Sequence, residues 1–292
     1  MGAAAALVLV LTSAGTAWAG LREASASSPT AAAATTREPS CDPIAEFHPG
    51  DFSNPSRIDS KWLPLAPGTQ FVLEGSTGVL AHRVVFTVTD LTKVINGVRT
   101  VVMFDVDINE GEVVEAELAF FAQDNAANIW SVGEYPEEFE GGVFVGAPNT
   151  WIAGVAGAQA GVLVLGDPQL GTPSYLQGFS PDIGFLDCAK VLKTGEQVCV
   201  PVNCFNDVLV VNEWSPLEPG GRQRKYYAPG VGNVQIGVVG DKEGETLVLV
   251  KRVRLGPRAL AKARDEALKL EKRAYQVSDV YRQTPPAEQI GR

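Results

Sequence analysis

The sequence predicts an all-β, mostly antiparallel protein, a barrel or curved sandwich, that ends in one C-terminal α-helix. Apolar and polar residues alternate with a period of two in "HRVVFTVTD" (82–90) and "VVEAELAFF" (113–121), which is typical of strands. Turn-forming residues such as Asn96-Gly97 separate about a dozen such segments between residues 69 and 254. A parallel sheet would need helices between its strands, and the pattern does not contain them.

The N-terminal 40 residues are expected to lie outside the folded domain. Residues 1–19 form a short apolar run that ends in a small-x-small pattern, and we interpret them as a secretory signal peptide. Residues 20–40 are mostly Ala, Ser and Thr, so we expect a disordered linker that adds nothing to stability. No later stretch of about 18 apolar residues occurs, so we expect no transmembrane segment. The predicted location is secreted, either extracellular or periplasmic.

Four cysteines fall within the predicted β-rich globular domain, residues 41–255. An even number in an exported chain predicts disulfides, and no metal site is expected because neither a Cys-x-x-Cys pair nor paired histidine ligands occur. The residues "VPVN" between Cys199 and Cys204 can reverse the chain, so we predict a local disulfide there. The remaining pair, Cys41 and Cys188, would close a long loop.

The net charge of −10 is distributed unevenly along the chain. Residues 251–273 carry nine Lys or Arg and three Asp or Glu, so the rest of the chain is strongly acidic. An acidic body argues against nucleic acid as a partner, because phosphate binding needs a positive field. The basic segment could make a weak surface contact, although a solvated helix face is the simpler interpretation.

The basic segment overlaps the predicted C-terminal amphipathic helix, residues 256–282. Pro257 suits the first helical position, and small or apolar residues recur at steps of three and four. They form one narrow apolar stripe, which we expect to pack against the sheet. Residues 283–292 are expected to be a frayed tail. The stripe consists of Leu260, Ala263, Ala267, Leu270, Ala274, Val277 and Tyr281.

Four aromatic residues are candidates for ligand binding. Trp130 lies in the predicted hairpin "FFAQDNAANIWSVGE" (120–134), where simple burial is the alternative explanation. Tyr226 and Tyr227 precede a tight turn and point to opposite faces of a strand, so one of them could line a cavity. Trp151 lies near the start of the Gly- and Ala-rich residues 149–179, which we interpret as an irregular excursion with one short strand and as a candidate lid.

We predict no catalytic residue and no cofactor. The nucleophile motif G-x-S-x-G is absent from the sequence, and His48 and His82 have no partner by spacing. The acidic stretch "DVDINEGE" (105–112) lacks the length and the helical flanks of an EF-hand, so we interpret it as an acidic hairpin turn.

The two acids of the 120–134 hairpin are also unsuited to act as a catalytic pair. If the turn centres on Ala126 and Ala127, Asp124 and Glu134 lie about 17 Å apart along the strand. Glycosidase carboxylates lie about 5–9.5 Å apart. We therefore expect this hairpin to serve mainly as architecture.

Three motifs follow one another along the chain: "NPSRIDSKWLPLAPGT", "AQDNAANIWSVGE" and "YYAPGVG". Together they resemble the motifs N-P-x-x-I-x-x-x-W-x-P-L-x-P-G-T, A-Q-D-x-x-G-N-V-W-x-x-G-E and Y-Y-A-P-G-V-G of a family of exported bacterial β-rich proteins of unassigned function. The resemblance covers residues 50–250 and implies export and fold, without catalytic residues to transfer. Ala127 stands where that family has Gly, so we expect Asn125 or Asn128 to adopt the left-handed conformation instead.

The sequence therefore predicts a secreted, non-enzymatic binding or carrier module, with a lipid-like or other apolar small molecule as its ligand. One alternative is an exported hydrolase or lyase that acts on a polymer through carboxylates in a groove. Another is a cell-wall interaction protein that uses its basic helix.

Overall fold

The computed structural model describes residues 41–218, 221–239 and 244–290, so the predicted signal peptide (1–19) and linker (20–40) lie outside the described residues. Fifteen strands and one α-helix are formed, together with 3₁₀ helices at Pro49–Asp51 and Tyr281–Gln283. They are β1 (Thr69–Thr77), β2 (Leu80–Ile95), β3 (Val98–Asn109), β4 (Glu112–Gln123), β5 (Ile129–Glu140), β6 (Val143–Gly146), β7 (Trp151–Ile152), β8 (Gln159–Val164), β9 (Tyr175–Ser180), β10 (Phe185–Val200), β11 (Asn203–Trp214), β12 (Arg222–Ala228), β13 (Gly232–Val238), β14 (Glu245–Arg254), α1 (Pro257–Val277) and β15 (Glu288–Gln289).

Twelve of these strands form a closed antiparallel barrel. Their order is β1-β14-β13-β12-β11-β10-β9-β8-β5-β4-β3-β2, and β2 pairs back onto β1 to close the ring. The predicted fold class, mostly antiparallel β with one C-terminal helix, is confirmed, and of the two predicted architectures the structure is the barrel. Closure leaves few free strand edges, which is how all-β proteins avoid edge-to-edge association.

One end of the barrel is closed by residues 47–66, and we call it the plugged end. Backbone hydrogen bonds attach this segment to two turns, from Gln123 N to Pro55 O (2.9 Å) and from Gly230 N to Lys61 O (2.7 Å). Apolar side chains of the same segment, among them Leu65, are fully buried. The opposite end, which we call the rim, carries the turns between β1 and β2, β3 and β4, and β5 and β6.

Residues 149–179 contain more regular structure than the sequence predicts. β7 pairs with β5, and β8 links β5 to β9, so the predicted excursion forms part of the barrel wall. The glycines that suggested a loop permit close strand approach instead. A Cβ atom on Gly161 would lie 2.4 Å from the backbone carbon of Gln177.

The β10–β11 hairpin extends past the barrel as an arm. β9 pairs only with Phe185–Ala189 of β10, and β12 pairs only with Leu209–Trp214 of β11, so within the described residues the rest of the hairpin pairs with no further strand. A disulfide between Cys199 and Cys204 joins the two strands near the tip. The other disulfide joins Cys41 to Cys188, so both bonds match the predicted pairing.

Helix α1 packs on the outside of the barrel against β2 and β4. Its buried positions include Leu270 and Glu271, and Lys93 of β2 donates a 2.8 Å hydrogen bond to Glu271. The predicted apolar stripe is interrupted at Val277, which is 49% exposed, whereas its last member Tyr281 is fully buried in the 3₁₀ helix that follows. Residues 283–290 were expected to fray, yet β15 pairs with Leu91–Thr92 of β2.

Candidate functional site

The strands of the barrel are buried on both faces, and this places charged side chains in the interior. In β4 the apolar face that includes Phe120 points outward, where its ring lies 6.1 Å from that of Tyr281. Glu115 and Glu117 lie on the opposite, inner face and are only 6% and 1% exposed. Alternation in a strand tells which side chains share a face, but not whether that face meets water.

Eight carboxylic acids and two basic side chains share this interior, and none is more than 6% exposed. Opposite walls of the barrel interact through it. Lys225 of β12 lowers the pKa of Glu134 of β5, although four other strands lie between β5 and β12 around the barrel. We call this set the acidic layer. It consists of Asp105, Asp107, Glu115, Glu117, Glu134, Asp187, Glu213 and Glu245, with Lys225 and His82.

Asp105 and Glu117 are direct cross-strand partners at the centre of the acidic layer. Within the described residues, none of their four carboxyl oxygens has a hydrogen-bond partner. Burial raises the pKa of both carboxyls well above the usual range. Asp107 and Glu134 raise that of Asp105 further, and Glu134 and Asp105 raise that of Glu117. Buried polar groups are nearly always paired, so two wholly unpaired carboxyls require an explanation.

Glu134 extends the acidic layer along β5. Trp151 Nε1 donates a 3.0 Å hydrogen bond to Glu134 Oε2, while Glu134 Oε1 has no partner among the described residues. Burial raises the pKa of Glu134 to about 7, although Trp151 and Lys225 oppose the rise. Trp151 in turn stacks on Phe185, with ring centroids 5.2 Å apart, so aromatic side chains flank this carboxyl.

The opposite wall carries the one buried lysine of the layer. Lys225 Nζ lies 3.0 Å from Glu213 Oε2, and both side chains are essentially inaccessible. The hydroxyl groups of Tyr175 and Tyr227 are buried without a hydrogen-bond partner in the described part of the chain. Burial, together with Glu213, raises the pKa of both hydroxyls. This wall therefore places the neutral hydroxyl groups of two tyrosines beside the ion pair of Lys225 and Glu213.

His82 occupies the rim side of the layer. Its Nε2 lies 2.8 Å from Glu245 Oε1, and its Nδ1 lies 2.5 Å from Asn109 Oδ1. Burial opposes the positive charge on the ring, but the carboxylates of Glu245 and Asp107 outweigh it and raise the pKa of His82. Asp107 is affected in turn, because burial raises its pKa to about 7 while His82 lowers it.

The interior approaches neutrality by keeping protons on its acids. Glu213 is paired with Lys225, and Glu245 with His82. The pKa values of Asp105, Glu117 and Asp187 are raised well above normal, chiefly by burial, so these carboxyls keep their protons to a higher pH than exposed acids do. A protonated carboxyl can donate a hydrogen bond, and a deprotonated one can bind a cation. The layer can therefore exchange protons for another positive charge.

Two of the four predicted ligand-binding residues belong to this interior and two do not. Trp151 contacts Glu134, and Tyr227 lies on the inner wall beside Glu213. Trp130 is buried at the plugged end against Phe47 and Phe52, and Tyr226 is partly buried on the other face of its strand. No member of the acidic layer itself was predicted as a ligand-binding residue from the sequence.

The acidic stretch 105–112 contains the predicted hairpin turn, but only its last part forms the turn. Asp105 and Asp107 lie within β3 and point inward, and the turn itself consists of Glu110 and Gly111. His82, for which spacing suggested no partner, pairs with Glu245 from a distant strand. Among the described residues, no group of three or more His, Cys, Asp or Glu side chains is arranged to hold a metal ion.

The turn of the 120–134 hairpin, at the plugged end, is fixed by hydrogen bonds to one side chain. Asp124 accepts hydrogen bonds from Ala126 N, Asn128 N, Asn128 Nδ2 and Trp130 Nε1, at 2.8 to 2.9 Å. The expectation of a left-handed Asn is wrong, because Ala127 itself has φ +62°. Asp124 fixes the backbone on both sides of Ala127, and this offsets the strain of a Cβ atom in that conformation.

The same hairpin also binds the first motif of the sequence. Gln123 Oε1 accepts from the backbone N–H groups of Asp59 and Ser60, and Asn125 Oδ1 accepts from Ser53 N. Together with the turn at Gly230, the three motifs therefore meet at the plugged end. Glu134 pairs with Ala119, well along β5 from the turn, so the two acids of the hairpin belong to separate environments.

An apolar pocket lies between the plug and the acidic layer. Leu63 and Leu65 of the plug line it together with Phe71, Leu73, Phe86, Met103 and Asn233. The free space at its centre admits little more than a water molecule. A lipid-like ligand would require this core to open.

No protein-family model and no curated protein matches the chain. Two solved structures resemble it in part. One, from Bacteroides fragilis, is provisionally described as an exported protein with a YmcC-like fold. It is 15% identical, with a TM-score of 0.33, over 66% of this chain and 99% of that one. The other, from Parabacteroides distasonis, is provisionally described as a lipoprotein. It is 15% identical, with a TM-score of 0.32, over 67% of this chain and all of that one.

Within the described part of the chain, no helix is long and apolar enough to cross a membrane.

Proposed function

We propose that the protein is an exported, non-enzymatic binding module that holds a small polar ligand inside its barrel, at the acidic layer. The observation that carries the proposal is the central pair Asp105 and Glu117, whose carboxyl oxygens are buried without partners. A barrel that needed only stability could fill this space with apolar side chains, as it does around Leu73 and Phe86. Unpaired buried acids are costly, and such groups concentrate at functional sites.

Export is supported by the cysteines. All four cysteines form disulfides, and disulfides persist in oxidising compartments outside the cytoplasm. The apolar run at residues 1–19 agrees with this, as a secretory signal peptide.

A binding role suits the geometry better than hydrolysis of a polymer. The carboxyls of the acidic layer are at most 6% exposed, so a polymer chain could not reach them without opening the barrel. A small molecule that is enclosed during a transient opening meets no such obstacle. The apolar ligand that the sequence suggested would instead need the small pocket beside Leu63 to expand.

Native mass spectrometry of the purified protein tests the proposal. We expect a bound mass that persists under native conditions and disappears on denaturation. The double variant Asp105→Asn, Glu117→Gln should lose this mass, and Glu112→Gln on the exposed β3–β4 turn should retain it. An empty wild-type protein, or a mass that the double variant retains, would overturn the proposal. A bound lipid that depends on Leu63 would favour the apolar ligand instead.

A further inference from the structure

We propose that the ligand of the acidic layer is a small organic cation that carries primary ammonium groups. This inference rests on the proposed function and adds the chemical class of the ligand. Among the described residues, the interior contains eight acids but only Lys225 and His82 as bases. Both bases are already in charge contact with an acid, Lys225 with Glu213 and His82 with Glu245, although neither contact has hydrogen-bond geometry. Asp105 and Glu117, whose oxygens have no hydrogen-bond partner among the described residues, therefore favour a ligand of positive charge.

The unpartnered atoms support the same choice. Within the described residues, both oxygens of Asp105 and of Glu117, together with Glu134 Oε1 and Asp187 Oδ2, accept no hydrogen bond. These are acceptors once the carboxyls are ionised. An ammonium group supplies three donors and no acceptor, so it can satisfy neighbouring carboxylates on adjacent strands at the same time. An anionic ligand would add to the repulsion.

A second observation comes from the aromatic side chains around these acids. The hydroxyl groups of Tyr175 and Tyr227 are fully buried and unpartnered in the described part of the chain, and Trp151 lies against Glu134. Aromatic rings attract cations through their electron-rich faces, and buried hydroxyls can accept a hydrogen bond from an ammonium group. No described group of acids has the arrangement that a metal ion requires, so an organic cation fits better.

Binding should be coupled to proton release. Burial raises the pKa values of Asp105 and Glu117 well above their usual range and that of Glu134 to about 7, so these three acids hold their protons at a higher pH than exposed acids do. A cation is stabilised only by the ionised carboxylates, so each bound positive charge displaces a proton. The affinity should therefore increase with pH. One displaced proton on a group with a pKa of about 7 gives roughly a tenfold tighter dissociation constant at pH 8 than at pH 6.

Isothermal titration of the full chain with 1,4-diaminobutane tests the inference, with 1,4-butanediol as the neutral probe of similar shape. The diamine carries two ammonium groups and so displaces two protons, and we expect it to bind about a hundredfold more tightly at pH 8 than at pH 6, with proton release that shows as a dependence of the heat on the buffer. The diol should not bind. The variants Asp105→Asn and Glu117→Gln should each weaken binding of the diamine, and Glu112→Gln should not.

The two proposals fail in different ways. Equal binding of the diol and the diamine, diamine binding that does not change with pH, or no diamine binding would overturn the cationic ligand. If the native protein nevertheless carries a neutral or anionic molecule that depends on Asp105 and Glu117, the proposed function stands. If the protein carries no ligand at all, the proposed function falls as well.

Discussion

Asp124 shows how one side chain can organise a turn that the sequence makes difficult. Ala127 has a positive φ, which costs an alanine more than the glycine that the turn would favour. Asp124 accepts four hydrogen bonds around it, and one of the donors is the indole of Trp130. The sequence indicates the turn and the capping role of an Asp, but no local rule shows that Trp130 would be a partner.

We expect Asp124→Asn to destabilise the protein by about 1–3 kcal/mol, since the new amide group would face donors and leave at least one of them unpaired. Urea unfolding, followed by the near-ultraviolet signal of the tryptophans, measures the change. The matched variant Asp182→Asn, at an exposed turn, should stay within about 0.5 kcal/mol of the wild type. Equal effects of the two substitutions would contradict the role of Asp124.

The residues of the acidic layer show where sequence reasoning fails at this scale. The alternation in β4 correctly separates Glu115 and Glu117 from the apolar face. It cannot show that both faces are covered, because the cover on the outer face comes from α1 and the C-terminal residues, more than 130 positions away. Glu134 likewise resembled a surface acid, yet it is 1% exposed.

At the scale of elements, the β10–β11 arm combines a local signal with an unusual position. The short spacing of Cys199 and Cys204 predicts a hairpin tip, and the structure places them opposite each other in the register. The extension of the arm past the barrel could not be predicted, because strand length alone does not show where the neighbouring strands end. Cys199 and Cys204 near the tip of the arm are exposed, whereas Cys188 lies in the barrel wall with no exposed surface.

A mild reductant should therefore cleave the Cys199–Cys204 disulfide well before the Cys41–Cys188 disulfide. Thiol–disulfide exchange requires the attacking thiolate to reach a sulfur atom, so the exposed bond reacts first. Timed reduction, alkylation and peptide mapping give the order. The Cys199→Ser, Cys204→Ser double variant should then show no early alkylation. Simultaneous loss of both bonds in the wild type would contradict this prediction.

Helix α1 is the element that the sequence predicts best, because its cap and its apolar stripe are local features. The contact that attaches the helix to the barrel is less predictable from the sequence. Lys93 is buried in β2 and donates to Glu271, to the hydroxyl of Tyr275 and to Pro285 O, at 2.6 to 2.9 Å. Glu271 also accepts from Ala287 N, so one ion pair holds both the helix and the tail on the barrel.

We expect Lys93→Ala to destabilise the protein by about 3–5 kcal/mol, because Glu271 would remain as a buried charge without its partner. Thermal or urea unfolding measures the loss, and amide hydrogen exchange should show faster exchange in α1 and β15. The control is Lys269→Ala, which removes an exposed pair with Glu266 and should change stability by at most about 1 kcal/mol. A small effect of Lys93→Ala would show that packing alone holds the helix.

At the scale of the whole molecule, local periodicity predicts the strands and the antiparallel class, but not closure of the barrel. Closure depends on the pairing of β1 with both β2 and β14, and the second of these partners lies far along the chain. The β9 strand was missed because Gly178 made its segment resemble a loop. That glycine instead leaves room for the ring of Trp151, which a Cβ atom would approach to 3.1 Å.

The acidic interior makes the stability of the whole protein depend on pH in an unusual direction. Asp107 and Glu134 have pKa values of about 7 in the folded state, because burial disfavours their ionised forms. In the unfolded chain such groups titrate near pH 4. Between these values the folded state binds more protons than the unfolded state, so the free energy of unfolding falls as pH rises. The raised pKa of His82 acts in the same direction.

We therefore expect the protein to be more stable at pH 5 than at pH 8, with roughly 3 kcal/mol lost for each buried carboxyl whose pKa rises to about 7. Urea unfolding at pH 5, 6, 7 and 8 in the same salt measures the trend.

The double variant Asp105→Asn, Glu117→Gln replaces two protonated carboxyls by amides that cannot ionise, so its stability should fall less steeply with pH. Because burial raises the folded-state pKa values of both acids well above 4, the difference between the two proteins should be small near pH 5 and grow towards pH 8. A stability that increases from pH 5 to pH 8 would mean that the interior carboxyls are ionised and paired with groups other than those described, and that protons do not neutralise the layer.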